Sequence, residues 1–118
     1  MQLTSETYED GDTVVVMLWD EVDCNNAAEL AREVNSRIRK GGKVALDLGR
    51  LRFIDSSGIR VLIRCRRMAE DLNCEISLRL PPETSPFVLK VLSLSGLLTS
   101  FATTQRDRRF DLLLAGSN

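Results

Sequence analysis

The chain has 118 residues, a formal net charge of −1 and 43% hydrophobic content, the balance of an ordinary water-soluble globular protein. That length suits one compact domain over residues 1–118, which would bury roughly two-thirds of the surface its unfolded form exposes. No histidine is present, which excludes Ser-His-Asp and Cys-His relays and the usual imidazole base, so the expectation is not an enzyme.

No apolar run approaches the roughly 20 residues of a membrane span, and the opening Met1–Glu6 has neither the basic nor the apolar region of a secretory signal. The default compartment is the cytoplasm, with no membrane contact. Cys24, Cys65 and Cys74 are odd in number and widely spaced, and read as reduced thiols, two of them small core hydrophobes. Without histidine or a Cys-x-x-Cys pair, no zinc site is expected. Acidic side chains dominate before Arg32 and basic ones from Arg32 to Arg67, an asymmetry that either steers a partner or neutralises itself in the fold. A pI near 5.5 and 5% aromatic content argue against direct nucleic-acid binding.

In chain order, Leu3–Glu9 alternates weakly, Asp10-Gly11 signals a hairpin, and Thr13–Trp19 is a β-branched strand, giving an antiparallel pair. Asp23-Cys24-Asn25-Asn26 opens a helix, with Asn26 and Glu29 spaced as a capping box. Ala27, Leu30, Ala31, Val34 and Ile38 form its buried stripe and Gly41-Gly42 its stop. Lys43–Leu48 is an apolar strand of the kind found at a sheet centre. A second helix runs from about Ser57 to Leu72. Leu62, Cys65, Met68, Ala69 and Leu72 lie on one side of it, and Arg60, Arg64, Arg67 and Asp71 on the other.

Glu75–Leu80 is a further strand, ended by Pro81-Pro82. Ser85-Pro86 starts a third helix carrying Val88, Val91 and Leu92 and ending at Gly96. A short strand at residues 100–102 and a last helix capped by Thr104, with Phe110, Leu113 and Leu114, complete the chain. The order β-β-α-β-α-β-α-(β)-α predicts an α/β fold: a mixed sheet of four to five strands with about four helices, parallel beyond the first hairpin.

Between the central strand and the second helix stands Asp55-Ser56-Ser57-Gly58. Phe53-Ile54 anchors the connection in the core, and the tetrapeptide sits where helix N–H groups and the macrodipole favour negative charge. The plain reading is that Ser56 or Ser57 is an N-cap worth about 1 kcal/mol. The other is that Ser56 projects outward as a phosphate acceptor. The two are compatible if Ser57 caps, and Asp55 is available to share the capping or to orient a partner. A phosphate on Ser56 adds about −1.5 to −2 charge, which the helix start tolerates and a docked acidic or apolar surface does not. Gly58 leaves room for a partner backbone or phosphoryl group.

These features resemble the STAS domain of bacterial anti-sigma factor antagonists. The hairpin, Glu21-Val22-Asp23, Leu46-Asp47-Leu48, Phe53–Ile59 and Val91-Leu92 … Gly96-Leu97 carry the likeness across most of the chain. The family's Gly-Glu-Leu-Asp element has Asp20 in place of glycine and Val22 in place of leucine, and Trp19 before it is unusual. The resemblance implies a protein that binds a serine-kinase anti-sigma factor and thereby releases a sigma factor. It implies phosphorylation of Ser56 by that kinase and reversal by a metal-dependent serine phosphatase. It places Glu21 and Asp23 in an acidic loop near the acceptor and the partner surface. Asp55, Ser57 and Gly58 of the tetrapeptide are expected partner contacts as well, and Arg60 and Arg64, one turn apart on the exposed side of the helix, either meet an acidic partner surface or form a solvated face. ATP and metal belong to the partners, so the chain needs no cofactor, and a monomer or weak dimer is expected.

Three other readings compete. One is a STAS-like adaptor or scaffold subunit without a phosphorylation cycle, for example in a lipid-transport assembly. Another is a small-ligand binder or enzyme at the Ser56 crevice, against which the lack of a Gly-x-x-x-x-Gly-Lys-Ser/Thr loop counts. The third is the detached STAS domain of an anion transporter, against which a plausible initiator Met and the lack of a span count.

Overall fold

Gly11 adopts φ +62°, the left-handed backbone that two-residue hairpin turns require. On either side of it β1 (Thr4–Asp10) pairs antiparallel with β2 (Thr13–Val22), as expected. The computed structural model describes residues 2–104. After the hairpin come α1 (Ala27–Asn35), β3 (Lys43–Ile54), α2 (Ser56–Asp71), β4 (Glu75–Arg79), α3 (Pro86–Leu94), α4 (Leu97–Ser100) and β5 (Ala102–Thr104). The strands form one mixed sheet in the order β1-β2-β3-β4-β5, with β2 to β5 parallel. The α/β class and the mixed sheet agree with the sequence reading. The expected last helix, with Phe110, Leu113 and Leu114, lies outside the described residues.

The core follows the side-chain periods. Val16 and Leu18 of β2, Val44, Leu46 and Leu48 of β3, and Ile76 and Leu78 of β4 alternate inward. They cluster with Leu30 and Val34 of α1, Leu62, Cys65 and Ala69 of α2, and Val88, Leu89 and Leu92 of α3. Burying each such aliphatic side chain contributes about 1.5–3 kcal/mol.

Three boundaries and one cap differ from the sequence reading, each for a local reason. β3 does not stop at Leu48 but runs to Ile54, so Phe53-Ile54 belongs to the strand and not to a connection. The inward residues are Leu48, Leu51 and Ile54, a spacing of three that hides the strand's period of two. The pairing with β2 explains it, since the register shifts between Met17 and Trp19 and again between Asp20 and Glu21. Each shift is a bulge that flips the side-chain phase. Asp47 Oδ1 accepts the Gly49 N–H at 2.9 Å, within the first of these irregularities.

The α1 helix ends at Asn35, well before Gly41. Turns carry the chain on while Ile38 still reaches the core, and Gly41, at φ +72°, donates to the Leu72 carbonyl at the entry to β3. The short α4 separates α3 from β5, which begins at Ala102 and contains Thr104 where a helix cap was expected. The predicted capping box at Asn26 and Glu29 does not form: Asn26 makes no capping bond, and Glu29 Oε2 accepts from the Leu3 N–H at 3.4 Å. Ser85 does cap α3 as expected, accepting from the Val88 N–H, with Pro86 at the first helical position.

Two of the three cysteines are core residues: Cys65 and Cys74 are buried and Cys24 is exposed. Burial pushes the Cys65 thiol up to about 11, from the 9.0 of an exposed thiol. The unfolded chain therefore loses this proton first, so the thiol's contribution to stability is complete below pH 9 and lost as the pH rises towards 11. At pH 8 one thiol of the native protein should react promptly with a disulfide reagent and all three after denaturation. Prompt reaction of two or three native thiols would contradict this packing.

Candidate functional site

The parallel ends of β2 and β3 assemble the site. Glu21 pairs with Phe53 and Val22 with Ile54, and the Asp55 N–H then donates to the Val22 carbonyl at 3.2 Å. This bond ties the loop after β2 to the residue that starts α2.

Asp55, not a serine, is the N-cap of α2. Its backbone is extended (φ −107°, ψ −173°), and Oδ1 accepts from Ser57 N at 2.9 Å and Gly58 N at 3.3 Å. The expectation that Ser56 or Ser57 caps is thus corrected. The carboxylate is carried directly on Cβ, and its Oδ1 already satisfies two of the orphan N–H groups. Ser56 is instead the first helical residue and is exposed, while Ser57 is half-buried. The same carboxylate offsets the positive end of the dipole, so a phosphate on Ser56 gains less from the helix than the sequence reading allowed.

Gly58 serves the interior. A Cβ there would lie 2.6 Å from Ile54 Cγ1 and 2.8 Å from Val22 Cγ1. Its missing side chain lets the first turn of α2 pack on the ends of β2 and β3. It does not open a path to an outside partner, and this corrects its expected role.

The remaining predicted residues divide around the helix start. Glu21 is exposed and borders a concavity with Asp20, Arg52 and Phe53. Asp23 is half-buried, and its Oδ1 accepts the Asn25 N–H at 2.9 Å, so part of its carboxylate shapes the turn into α1. Arg60 and Arg64 are exposed and line a groove between α1 and α2 with Ser57, Ala28 and Ala31. Ser56 and Asp55 face a different groove. The backbone bond between Val22 and Asp55 therefore ties the segment holding Glu21 and Asp23 to the start of α2, where Ser56 follows, and Ser57, Arg60 and Arg64 lie on the adjoining flank. Asp20 adopts φ +62°, a left-handed conformation that Asp tolerates better than most side chains. The preceding Trp19 lies under the Arg50 guanidinium, 5.5 Å from its ring centroid.

Sequence reasoning missed the apolar groove beside Ser56, of about 440 Å³, walled by Phe53, Ile59, Phe87, Val91 and Leu94. Phe53 and Phe87 stack with centroids 5.5 Å apart and planes 12° apart. Phe87 is 48% exposed and Leu94 78% exposed, beyond what the core stripe of α3 explains. The available signal was that both fall off the Val88–Leu92 stripe. Among the described residues no cluster of three metal-ligating side chains occurs. No helix among them is long and apolar enough to cross a membrane.

Comparison with known proteins agrees with this fold. The sequence profile of the family described as "Mlab, STAS domain" matches residues 5–104. BtrV of Bordetella bronchiseptica, named as a candidate anti-sigma factor antagonist, is 34% identical over 102 residues, 86% of this chain and 84% of BtrV. Among solved structures, an anti-sigma factor antagonist from Mycobacterium paratuberculosis superposes with a TM-score of 0.75 at 17% identity, covering 98% of this chain and 93% of that one. The anti-sigma factor antagonist SpoIIAA in its unphosphorylated form gives 0.69 at 23% identity, covering 95% and 97%. The phosphorylated form of SpoIIAA, a Bacillus cell fate determinant, gives 0.63 at 24% identity, covering 93% and 99%.

Replacing Asp55 by alanine should lower unfolding stability by about 1 kcal/mol through loss of the cap, while Asp55→Asn should cost less. Gly58→Ala should cost about 1–3 kcal/mol through overpacking against Val22 and Ile54. Urea unfolding at pH 7 reads all three.

Proposed function

This chain belongs to the STAS-domain family, and from that premise we propose that it is an anti-sigma factor antagonist switched by phosphorylation at Ser56. Proteins of this kind are regulatory and not enzymatic. The unmodified chain binds an anti-sigma factor that is itself a serine kinase, and so frees a sigma factor for transcription in the cytoplasm. Glu21, Asp23, Asp55, Ser57, Arg60 and Arg64 surround the acceptor serine and form the partner surface. Gly58 supports it from beneath. Residues 1–118 act as one domain, as a monomer or weak dimer.

The observation that carries this reading is the exposed Ser56 on the first turn of a helix capped by a different residue. Its hydroxyl is not needed to hold the helix, so modification leaves the fold in place. In the transfer step the Ser56 oxygen bonds to the γ-phosphorus of ATP, the bond to the bridging oxygen breaks, and ADP leaves. The hydroxyl proton passes to a base of the kinase. A metal-dependent serine phosphatase reverses the modification with water, releasing inorganic phosphate.

The consequence follows from charge. The phosphate adds about −1.5 to −2 beside the Asp55 carboxylate, at the rim of the Phe53–Phe87 groove. A partner seated there would have to strip water from a dianion without supplying compensating charge, and that weakens docking.

The test is incubation with ATP and candidate cognate kinases, mapping of the phosphate by mass spectrometry, and affinity measurement on variants. Phosphate should appear on Ser56 and persist there in Ser57→Ala. Ser56→Ala should bind the kinase as wild type does, and Ser56→Asp at least tenfold more weakly, about 1.4 kcal/mol. A chain that no kinase modifies and whose Ser56→Asp form binds normally would be a constitutive adaptor instead.

A further inference from the structure

We propose that Asn26 is a positioning residue for partner recognition: its side chain holds the acidic segment Glu21–Asp23, the end of β2 and the residue after it, in its docking shape instead of capping the helix it precedes. The inference rests on the antagonist reading above and extends it to a residue that does not touch the partner.

Asn26 occupies the N-cap position of α1 and is 1% exposed, yet it makes no capping bond. Its carboxamide turns back. Oδ1 accepts from the Asp23 N–H at 2.9 Å, and Nδ2 donates to the Glu21 carbonyl at 2.9 Å. The orientation of the amide is unambiguous, because a backbone N–H only donates and a carbonyl only accepts. One buried side chain therefore closes a bridge from Glu21 to Asp23, the two acidic residues assigned to the partner surface.

The residue between them is held from the other side, since the Val22 carbonyl accepts the Asp55 N–H. The loop is thus clamped by the start of α1 and by the cap of α2 together. Aspartate at position 20, in left-handed backbone, begins the same segment. Loss of the Asn26 bridge releases the Glu21 carbonyl and the Asp23 N–H, so the turn out of β2 that presents the two acidic side chains relaxes, while both helices, the pairing of Glu21 with Phe53 and of Val22 with Ile54, and the bond from the Ala27 N–H to the Asp23 carbonyl remain. A hydroxyl at position 26 is one atom on a shorter arm: it can cap α1, but it does not span the two backbone groups.

Asn26→Ser therefore separates positioning from stability. Calorimetric titration would use the serine-kinase anti-sigma factor purified as the partner of the Ser56→Ala chain. Wild type and Asn26→Ser are titrated alone and in a Glu21→Gln/Asp23→Asn background, with urea unfolding of each. Asn26→Ser should keep the wild-type midpoint, bind at least tenfold more weakly, and cost less than twofold in the double background, because the groups it positions are gone. If its midpoint falls, a Leu78→Val control of matched stability should still bind as wild type does. Wild-type affinity in Asn26→Ser, an equal loss in both backgrounds, or an equal loss in the Leu78→Val control overturns the inference while the antagonist reading stands. Failure of the wild-type chain itself to bind removes both.

Discussion

The carboxylate of Asp55 is the interaction on which the rest of the site depends. It takes the Ser57 and Gly58 N–H groups and so closes the N-terminus of α2 without calling on a serine. A helix capped by its own acceptor serine would loosen each time that serine was modified. With the two tasks separated, a charge added at Ser56 would leave the first turn formed. The same carboxylate places a negative group beside Ser56, so a phosphate added there would find little compensation within the chain and would act outward.

The scaffold around this cap is a set of close approaches at the ends of two parallel strands. Bulges in the β2–β3 pairing bring Ile54 and Val22 side by side, and glycine at position 58 lets α2 settle onto both. The Asp55 N–H then reaches the Val22 carbonyl, which couples the loop after β2 to the loop after β3. Acidic side chains, the exposed Ser56 and an apolar groove come to lie at the C-terminal ends of β2 and β3. Such a surface suits regulated protein docking: apolar area supplies attraction, and a reversible charge at its margin removes it.

Legibility from sequence varied with how local each determinant is. The hairpin was readable because Asp10-Gly11 is a local turn signal flanked by β-branched residues, and the start of α3 because Ser85-Pro86 is a local cap. The end of β3 was not, because its bulges turn a period of two into steps of three at Leu48, Leu51 and Ile54, and their cause lies in the partner strand. Asn26 looked like a cap since it stands three residues before Glu29, but tertiary contacts diverted both side chains. Gly58 could be placed at the helix start, yet its purpose depends on Val22, which is 36 positions away in sequence. The exposure of Ser56 agreed with expectation. The groove beside it did not declare itself, because Phe87 and Leu94 look like any apolar residues until the core is seen to be complete without them.

The most direct measurement compares the affinity of the purified anti-sigma kinase for unmodified chain and for chain carrying phosphate on Ser56, with far-ultraviolet circular dichroism on both. Binding should be at least tenfold weaker after modification, with an unchanged helical spectrum. Equal affinities, or a loss of helix that accompanies the loss of binding, would contradict a charge switch built on a helix that Asp55 keeps capped.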